Sequence, residues 1–428
     1  MKKKISIFIL QLVFCSVTVH SQTATNSPYS QYGLGLLSDQ SLGFNKAMSG
    51  LSYGVRNSKQ VNFANPASYS SVDSLTMLLD VGFSGQITSF KEGDTRIKAN
   101  NGDFDYIVAS FRLMPRVGIC VGFVPFTVIG YNYNYSNKIG NSTSSSKDIY
   151  SGSGGVNQAF LGMGWSPVNN FSVGFNFSYL WGNYEKSVYI PGKDNYTNTI
   201  TRQYAANINS YKLDFGVQYQ HEISAGEVLT YGLTYSLGHK LRGDATLNVI
   251  NSSASSGTST TTPLTISDAY SLPHSFGAGV TWKHGTKLMV GADYTLQKWG
   301  NLSVPDNNVK DANNYTLADG LLKDRHKIVL GTEWVPNESS NRYFRRVHYR
   351  MGVSYATPYI TVNGQDGPKE YGVSAGFGFP LLKGGKSILN ISGQWLRAHS
   401  SSMITEDYYR LNIGITFNER WFMKWKVQ

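Results

Sequence analysis

The chain has 428 residues and a formal net charge of +11, with 41% hydrophobic and 15% charged side chains. This length admits two soluble domains or one large all-β domain, and the 44 glycines, 28 tyrosines, 21 phenylalanines and 8 tryptophans favour the second, because they suit twisted strands with aromatic girdles. The basic residues are scattered along the chain and form no single block, so the charge does not indicate a nucleic-acid partner.

The first 21 residues have the features of a secretory signal peptide. Three lysines at residues 2–4 precede an apolar run over residues 5–19, and compact side chains lead to a predicted cleavage after Ser21. A lipoprotein signal ending at Cys15 is the alternative, but the bulky Phe14 occupies the position where such signals need a small residue. Cleavage after Ser21 lowers the formal charge from +11 to +8 and leaves Cys120 as the single cysteine, which excludes an intramolecular disulfide.

Residues 22–72 precede the first predicted strand and are rich in glycine, with little periodicity. If the strands that follow form a membrane barrel, such a segment is either a disordered periplasmic arm or a plug folded into the lumen of that barrel. The small and polar residues on one face of the following strands favour the plug, since irregular backbone at membrane depth is tolerated only inside protein or in a water-filled cavity.

The triplet Asn65-Pro66-Ala67 lies near the end of this segment. Proline fixes its own φ and biases the preceding residue towards extended backbone, and an asparagine side chain bonds readily to nearby backbone. We therefore predict that the triplet is a rigid joint between plug and wall, with an ordinary loop turn as the alternative.

Residues 73–418 form a series of segments with period-two alternation. In the clearest segment one face is entirely apolar and carries Phe171, Val173, Phe175, Phe177, Tyr179 and Trp181. The predicted strands, fourteen in all, are 75–90, 103–113, 116–135, 156–166, 170–187, 201–222, 227–248, 268–283, 286–299, 324–335, 343–359, 370–380, 387–399 and 406–417. Most reach the roughly 9 to 11 residues that a tilted strand needs to cross a bilayer.

The connections between these strands alternate in length. Long links rich in Ser, Asn and Gly follow the odd strands, and short turns follow the even ones. A soluble β-sandwich also has alternating faces, but this combination of long strands with alternating connections is typical of an outer-membrane barrel. The sequence therefore predicts an all-β fold, a transmembrane antiparallel β-barrel of about 14 strands over residues 73–418. Residues 419–428 either extend the last strand or form a periplasmic tail.

Six charged residues lie on the predicted inner face of the barrel, opposite the apolar stripe of their strands. They are Lys212, Asp214, Asp293, Glu333, Arg350 and Arg410. Because unpaired charges are costly in a crowded lumen, we expect them to pair with one another or with the plug. Contact with a substrate is the alternative to a network that only holds the plug.

Residues 372–376 fit the Gly-x-Ser-x-Gly pattern of a serine nucleophile. That motif needs a strand, a sharp turn and a helix, whereas the alternation here continues, so Ser374 is predicted to be an ordinary strand residue. The histidines show no pair at metal-ligand spacing, and Cys120 has no partner cysteine. The sequence thus predicts a protein that is not an enzyme, with no cofactor and no metal site.

Three stretches resemble the FadL-like family of outer-membrane transporters of long-chain fatty acids. In the first, residues 46–77, Ala47-Met48-Ser49-Gly50 and the triplet at 65–67 match the N-terminal pattern of the family, although Ser49 stands in place of a glycine. The other two cover residues 151–182 and 272–299, so the resemblance extends over nearly the whole exported chain. It implies fourteen strands, an N-terminal plug and a location in the outer membrane of a Gram-negative cell.

The resemblance also implies a lateral opening, because in that family an inward kink of the third strand opens the wall towards the membrane. Pro125 lies within the third predicted strand, where a proline interrupts the hydrogen-bonded ladder. Phe123, Pro125 and Phe126 are therefore expected to border such an opening, with a simple bulge without a gap as the alternative.

By the same resemblance, the expected function is passive uptake of hydrophobic small molecules, such as fatty acids or related lipids, through a lumenal pocket with a lateral or plug-gated exit. The expected partners are that hydrophobic molecule and the outer-membrane lipids, with no nucleic acid. The family also includes barrels that resemble PorV and act as scaffolds or shuttles in protein secretion. A non-transporting barrel with a protein partner is therefore the alternative.

Overall fold

The structure is a computed structural model that describes residues 25–138, 145–192, 197–306, 315–381, 387–400 and 403–420. The predicted signal peptide, which includes Cys15, and residues 421–428 of the predicted tail lie outside these ranges. Within them, no helix is both long enough and apolar enough to cross a membrane.

Fourteen long strands in the described residues form a closed antiparallel barrel. They are β1 (Thr76–Glu92), β2 (Thr95–Met114), β3 (Val117–Lys138), β4 (Ser145–Val168), β5 (Phe171–Ile190), β6 (Thr199–Ser224), β7 (Glu227–Ser236), β8 (Ser275–His284), β9 (Leu288–Gln297), β10 (Arg325–Trp334), β11 (His348–Ala356), β12 (Lys369–Pro380), β13 (Ile388–His399) and β14 (Thr405–Arg420). Each strand pairs with the next along the chain, and β14 pairs with β1 to close the ring. The predicted fold class and strand number are confirmed.

The other elements are short. They are the helix α1 (Gly43–Lys46), the 3-10 turns Pro28–Gln31, Pro66–Ser71 and Tyr343–Arg345, and the two-residue strands Leu36–Leu37, His239–Lys240, Ser271–Leu272, Val304–Pro305, Leu317–Ala318, Thr361–Val362 and Gln365–Asp366. A hairpin of Ala245–Ser252 and Ser259–Ile266 extends the sheet beyond the barrel.

The predicted strand over residues 227–248 is divided in two. β7 ends at Ser236. Farther along the chain, Ala245–Ser252 pairs with residues 199–206 of β6, which lie towards the long-loop end. β6 has 26 residues and β7 only 10, so without this segment much of β6 would lack a hydrogen-bonded neighbour on the side away from β5. Gly238 lies at the break, where a Cβ atom would come within 2.5 Å of the backbone nitrogen of His274.

The wall has an apolar outer face and a small or polar inner face, as the alternation predicted. Leu233 and Met351 point outwards and are 59% and 61% exposed, whereas their neighbours Gly232 and Gly352 point into the lumen. At the short-turn end most of the connections are tight, for example residues 115–116 between β2 and β3. At the opposite, long-loop end, a packed core that includes Tyr184, Tyr204, Tyr270, Trp299 and Tyr359 covers the lumen.

The described part of the N-terminal segment, residues 25–75, lies inside the barrel. α1 packs against β13 and β14, and Pro66–Ser71 packs against β4, β5 and β6. Two wall glycines permit this close approach, because a Cβ at Gly352 would lie 2.4 Å from the carbonyl carbon of Met48, and one at Gly232 would lie 1.9 Å from the carbonyl oxygen of Tyr53.

Candidate functional site

The triplet Asn65-Pro66-Ala67 begins the 3-10 turn Pro66–Ser71 against the inner wall. The Asn65 side chain accepts a hydrogen bond from the backbone N–H of Ala67 at 3.2 Å and donates to the carbonyl oxygens of Tyr53 at 2.8 Å and Val217 at 3.3 Å. One asparagine therefore connects the start of the turn, another part of the N-terminal segment and the wall strand β6. That the triplet acts as a rigid joint stays a prediction.

The predicted lumenal charges fall into two groups. Glu333 and Arg350 lie towards the short-turn end, where the Arg350 guanidinium donates to the Glu333 carboxylate at 2.5 Å and to the Asn390 side chain at 2.6 Å. The same guanidinium reaches Gln60 of the N-terminal segment at 3.4 Å. The barrel encloses a cavity between its wall and the N-terminal segment, and neither of these two residues lines it.

The other four, Lys212, Asp214, Asp293 and Arg410, line that cavity. The Asp293 carboxylate accepts hydrogen bonds from the backbone N–H groups of Ser52 at 2.6 Å and Tyr53 at 2.9 Å. Lys212 pairs with Asp214 on the same strand, and Arg410 donates to Gln86 at 2.6 Å. Thus Asp293 holds the N-terminal segment, whereas the other three are bonded within the wall.

The wall contains a seam between β2 and β3. Their ladder runs from the short-turn end only as far as the pair Ile107–Phe123. Beyond that pair, residues 95–106 of β2 have a strand ladder with β1 alone, and residues 124–138 of β3 pair with β4. The β3–β4 register shifts between Pro125 and Thr127. The residues predicted to border a lateral opening therefore lie where the ladder ends.

The N-terminal segment covers the free edge of β3 from the inside. Leu36–Leu37 pairs with Thr127 and Val128 as a short antiparallel strand. The backbone N–H of Ser38 donates to the carbonyl oxygen of Phe126 at 3.0 Å, and the Gln40 side chain donates to that of Pro125 at 2.8 Å. Sequence reasoning missed this cover, because a two-residue strand beside glycines leaves almost no periodic signal.

A cavity of about 400 Å³ lies between the wall and the N-terminal segment and reaches both edges of the seam. Its lining includes Asp103 and Asp105 on β2, and Pro125, Phe126 and Val128 on β3. Trp299, Tyr359 and Ile360 contribute apolar surface from the core at the long-loop end, and Asp39, Ser41 and Ser52 contribute polar surface from the N-terminal segment. The cavity is therefore amphipathic.

The charges around the cavity are largely compensated. Lys46 pairs with Asp105 at 2.7 Å, and Arg325 pairs with Glu370 at 2.7 Å. Burial opposes the charge of Asp39, but Lys327, Lys46 and the Ser41 hydroxyl outweigh it and hold the pKa of that carboxyl below its usual value. Neighbouring side chains therefore offset part of the charge on the polar side of the cavity.

Ser374 of the Gly-x-Ser-x-Gly pattern lies within β12 and contacts the N-terminal segment. Its hydroxyl accepts a hydrogen bond from the Ser49 N–H at 2.7 Å and donates to the carbonyl oxygen of Ala47 at 3.0 Å. Ser49, the residue that departs from the FadL-like pattern, also contacts this hydroxyl through its own side chain at 2.8 Å. Ser374 thus holds the N-terminal segment to the wall.

Solved structures with the same fold include two that are described as toluene transporters and one that is described as a FadL homologue. The toluene transporter TbuX of Ralstonia pickettii has a TM-score of 0.62 at 13% identity, covering 90% of this chain and 99% of that one. The toluene transporter TodX of Pseudomonas putida has 0.60 at 14%, covering 90% and 100%, and a Pseudomonas aeruginosa FadL homologue has 0.59 at 12%, covering 90% and 99%. The resemblance recognised in the sequence is confirmed. A comparison with curated proteins gives no match.

Over residues 1–428 the chain matches the family model described as BamG, and it therefore belongs to the BamG family.

Proposed function

We propose that this protein is an outer-membrane channel through which hydrophobic or amphipathic small molecules pass between the lumenal cavity and the membrane by way of the seam. The apolar outer face and the alternating connections support a bilayer location, with the short-turn end in the periplasm. The signal-peptide pattern supports export.

The observation that carries this proposal is the position of the cavity relative to the seam. Asp103 and Asp105 on one edge, and Pro125, Phe126 and Val128 on the other, all line the same cavity. Elsewhere in the closed barrel, the hydrogen-bonded ladder between strands is the strongest barrier to lateral passage. Between these two edges the wall has no such ladder. A molecule in the cavity therefore faces protein side chains and the N-terminal segment in the direction of the lipid.

The substrates we propose are apolar molecules that carry a polar group. Several structures with this fold are described as toluene transporters or monoaromatic hydrocarbon channels, which supports an apolar component. A purely apolar molecule would displace water from the polar lining side chains Asp39, Asp103 and Lys212 and would replace none of the hydrogen bonds that this water makes. A polar group placed against that side would satisfy them.

Movement of the N-terminal segment is part of the proposal. Residues 36–40 bond to β3 through a few exchangeable hydrogen bonds, whereas Asp293, Ser374 and Asn65 hold later parts of the segment. We therefore propose that residues 36–40 separate from β3 while the triplet at 65–67 stays in place.

The test is uptake by cells that express the protein or its Pro125→Val variant. A valine restores the N–H that proline lacks and favours a regular strand, so we expect β3 to pair further with β2 and uptake of a labelled fatty acid and of toluene to fall several-fold. Pro263→Val is the matched control, because Pro263 lies in the hairpin outside the barrel, opposite Asn248. A folded Pro125→Val barrel with unchanged uptake would refute passage through the seam.

A scaffold without transport is the second candidate function. The packed core at the long-loop end favours it, with ring centroids 5.1 Å apart for Trp299 and Tyr359 and 5.6 Å apart for Tyr184 and Tyr270. In the uptake experiment, this function predicts that cells with the wild-type protein take up no more of either compound than cells without it.

A further inference from the structure

The connection between β10 and β11, residues 335–347, is unlike the tight turns at the same end of the barrel. Residues 115–116, 169–170 and 225–226 link their strands by two residues each. The longer connection lies beside the β8–β9 turn, since the Val335 N–H donates to the carbonyl oxygen of Lys287 at 2.7 Å. We call residues 335–347 the arginine loop.

The arginine loop has a defined fold. The 3-10 turn Tyr343–Arg345, which we call the tip, lies in its second half, and the Asn337 N–H donates to the carbonyl oxygen of Arg345 at 2.8 Å. Val335 and Val347 are buried at its two ends. These contacts hold the loop in a defined conformation in which the side chains of the tip are exposed.

The tip of the loop adjoins the outer, lipid-facing side of the wall. Phe344 is 73% exposed, more than any other large hydrophobic residue in the described chain. Its carbonyl oxygen accepts a hydrogen bond from the Tyr349 hydroxyl at 3.2 Å. The Tyr349 ring in turn lies 5.4 Å from that of Trp334 and 5.7 Å from that of Phe377. Phe344 thus extends an aromatic belt of the kind found at membrane interfaces.

Three arginines lie within two residues of Phe344 in the sequence. Arg342 and Arg345 are exposed, and the Arg346 guanidinium lies 5.5 Å from the centre of the Tyr343 ring. None of the three forms an ion pair with a residue in the described ranges, because the loop's own Glu338 pairs with Lys59. The Nε atom of Arg346 is buried and has no hydrogen-bond partner there. The loop therefore presents unused guanidinium donors beside an exposed phenylalanine.

We propose that the arginine loop binds the headgroup of an anionic phospholipid in the leaflet at the short-turn end. Arg345 and Arg346 donate to the phosphate oxygens, for which the planar guanidinium has matching geometry. Phe344 inserts among the upper acyl chains. This inference rests on the proposed membrane location and is independent of transport.

The position of the loop favours a lipid over an acidic protein segment. The carbonyl of Phe344 is bonded to a tyrosine of the outward belt, so the tip lies over the lipid-facing wall. Basic residues beside an aromatic belt are placed to meet both the headgroup and the acyl region of one lipid. An acidic peptide would satisfy the arginines and leave Phe344 without an apolar environment.

The experiment compares phosphatidylglycerol with zwitterionic phosphatidylcholine by native mass spectrometry of the delipidated protein in detergent. We expect the wild type to bind phosphatidylglycerol preferentially. In Arg345→Gln/Arg346→Gln its dissociation constant should rise on the order of 20-fold, about fivefold for each arginine, with phosphatidylcholine unaffected. Equal binding of the two lipids by the wild type would overturn the proposal.

The matched control is Arg112→Gln/Arg116→Gln, which removes the same charge at the β2–β3 turn. There the Arg116 guanidinium is already bonded to Asn169 at 2.8 Å and to the carbonyl oxygen of Pro167 at 3.3 Å, so we expect phosphatidylglycerol binding to be retained. An equal loss of phosphatidylglycerol binding in this control would show that the effect depends on net charge alone, and it would overturn the proposal that the arginine loop is the binding site.

A photo-reactive residue in place of Phe344 gives a second readout in cells with all arginines intact. We expect a lipid adduct, recognised by its small mass increase. A protein adduct in its place would overturn the proposal and identify the loop as a docking site for a protein partner.

Discussion

Two parts of the same wall are closed in different ways. All ten residues of β8 pair with both β7 and β9, so that side is a continuous hydrogen-bonded sheet. Residues 95–106 of β2 have a ladder on one side only. The facing edge of β3 is covered by Leu36–Leu37 and Gln40 of the N-terminal segment. A sheet opens only by breaking many hydrogen bonds together, whereas a short cover separates by breaking a few. The seam is therefore the part of the wall where opening costs least.

The largest effect is expected on the continuous side, from Arg350→Ala. Arg350 is 3% exposed and donates to Glu333 and Asn390, so its loss leaves the largely buried Glu333 carboxylate with His348, whose Nδ1 atom lies 3.2 Å away, as its remaining ion-pair partner among the described residues. We expect the free energy of unfolding to fall by about 3–5 kcal/mol. Urea titration of the detergent-solubilised barrel, followed by tryptophan fluorescence, measures the change.

Arg410→Ala is the control for that experiment, because Arg410 faces the cavity and donates to Gln86. Water in the cavity can replace this bond, so we expect a loss of about 1 kcal/mol. Equal losses for the two variants would show that the charges of the continuous side contribute no more to stability than those beside the cavity.

The second prediction concerns the contact between wall and N-terminal segment on the continuous side. A valine at Gly352 would collide with the Met48 backbone, since even its Cβ would lie 2.4 Å from the carbonyl carbon. We expect Gly352→Val to lower the free energy of unfolding by about 1–3 kcal/mol and to expose the N-terminal segment to protease. Thermal unfolding and limited proteolysis test this.

Gly393→Val is the matched control, because an added Cβ at Gly393 meets nothing within 4 Å. It should leave both stability and protease resistance close to those of the wild type. Protease resistance retained in Gly352→Val would mean that the segment does not depend on its close contact with β11.

The wall was predictable from the sequence because its signal is local. Alternation at positions such as Phe175 and Phe177 depends only on which side of one strand faces lipid, and the strand number followed from counting such segments. Pro125 was also predictable as an interruption, because proline cannot donate to a ladder wherever it lies.

The cover of the seam was not predictable, because it depends on residues far apart in the chain. Leu36 meets Val128 and Gln40 meets Pro125 only after the barrel has closed around the N-terminal segment. The division of the strand over residues 227–248 has a similar cause, since it depends on the greater length of β6. Residues 343–347 of the arginine loop were included in the predicted strand over 343–359, because the sequence pattern gave no indication of the 3-10 turn Tyr343–Arg345.

The smallest expected effect is at the seam itself, from Gln40→Ala. The variant removes the hydrogen bond to the Pro125 carbonyl, worth about 1 kcal/mol, and leaves the ladder of the barrel intact. We expect amide exchange at residues 36–38 and 127–128 to accelerate about fivefold, with global stability nearly unchanged. Hydrogen exchange followed by mass spectrometry resolves these segments.

Gln394→Ala is the matched change on the continuous side, where the glutamine donates to the Lys46 carbonyl at 2.9 Å. It removes the same kind of bond to the same N-terminal segment, so exchange at residues 36–38 should stay at the wild-type rate. If Gln40→Ala accelerates exchange and also raises uptake, while Gln394→Ala does neither, the cover controls passage through the seam. Faster exchange with unchanged uptake would separate the two, because the cover would then open without admitting a substrate.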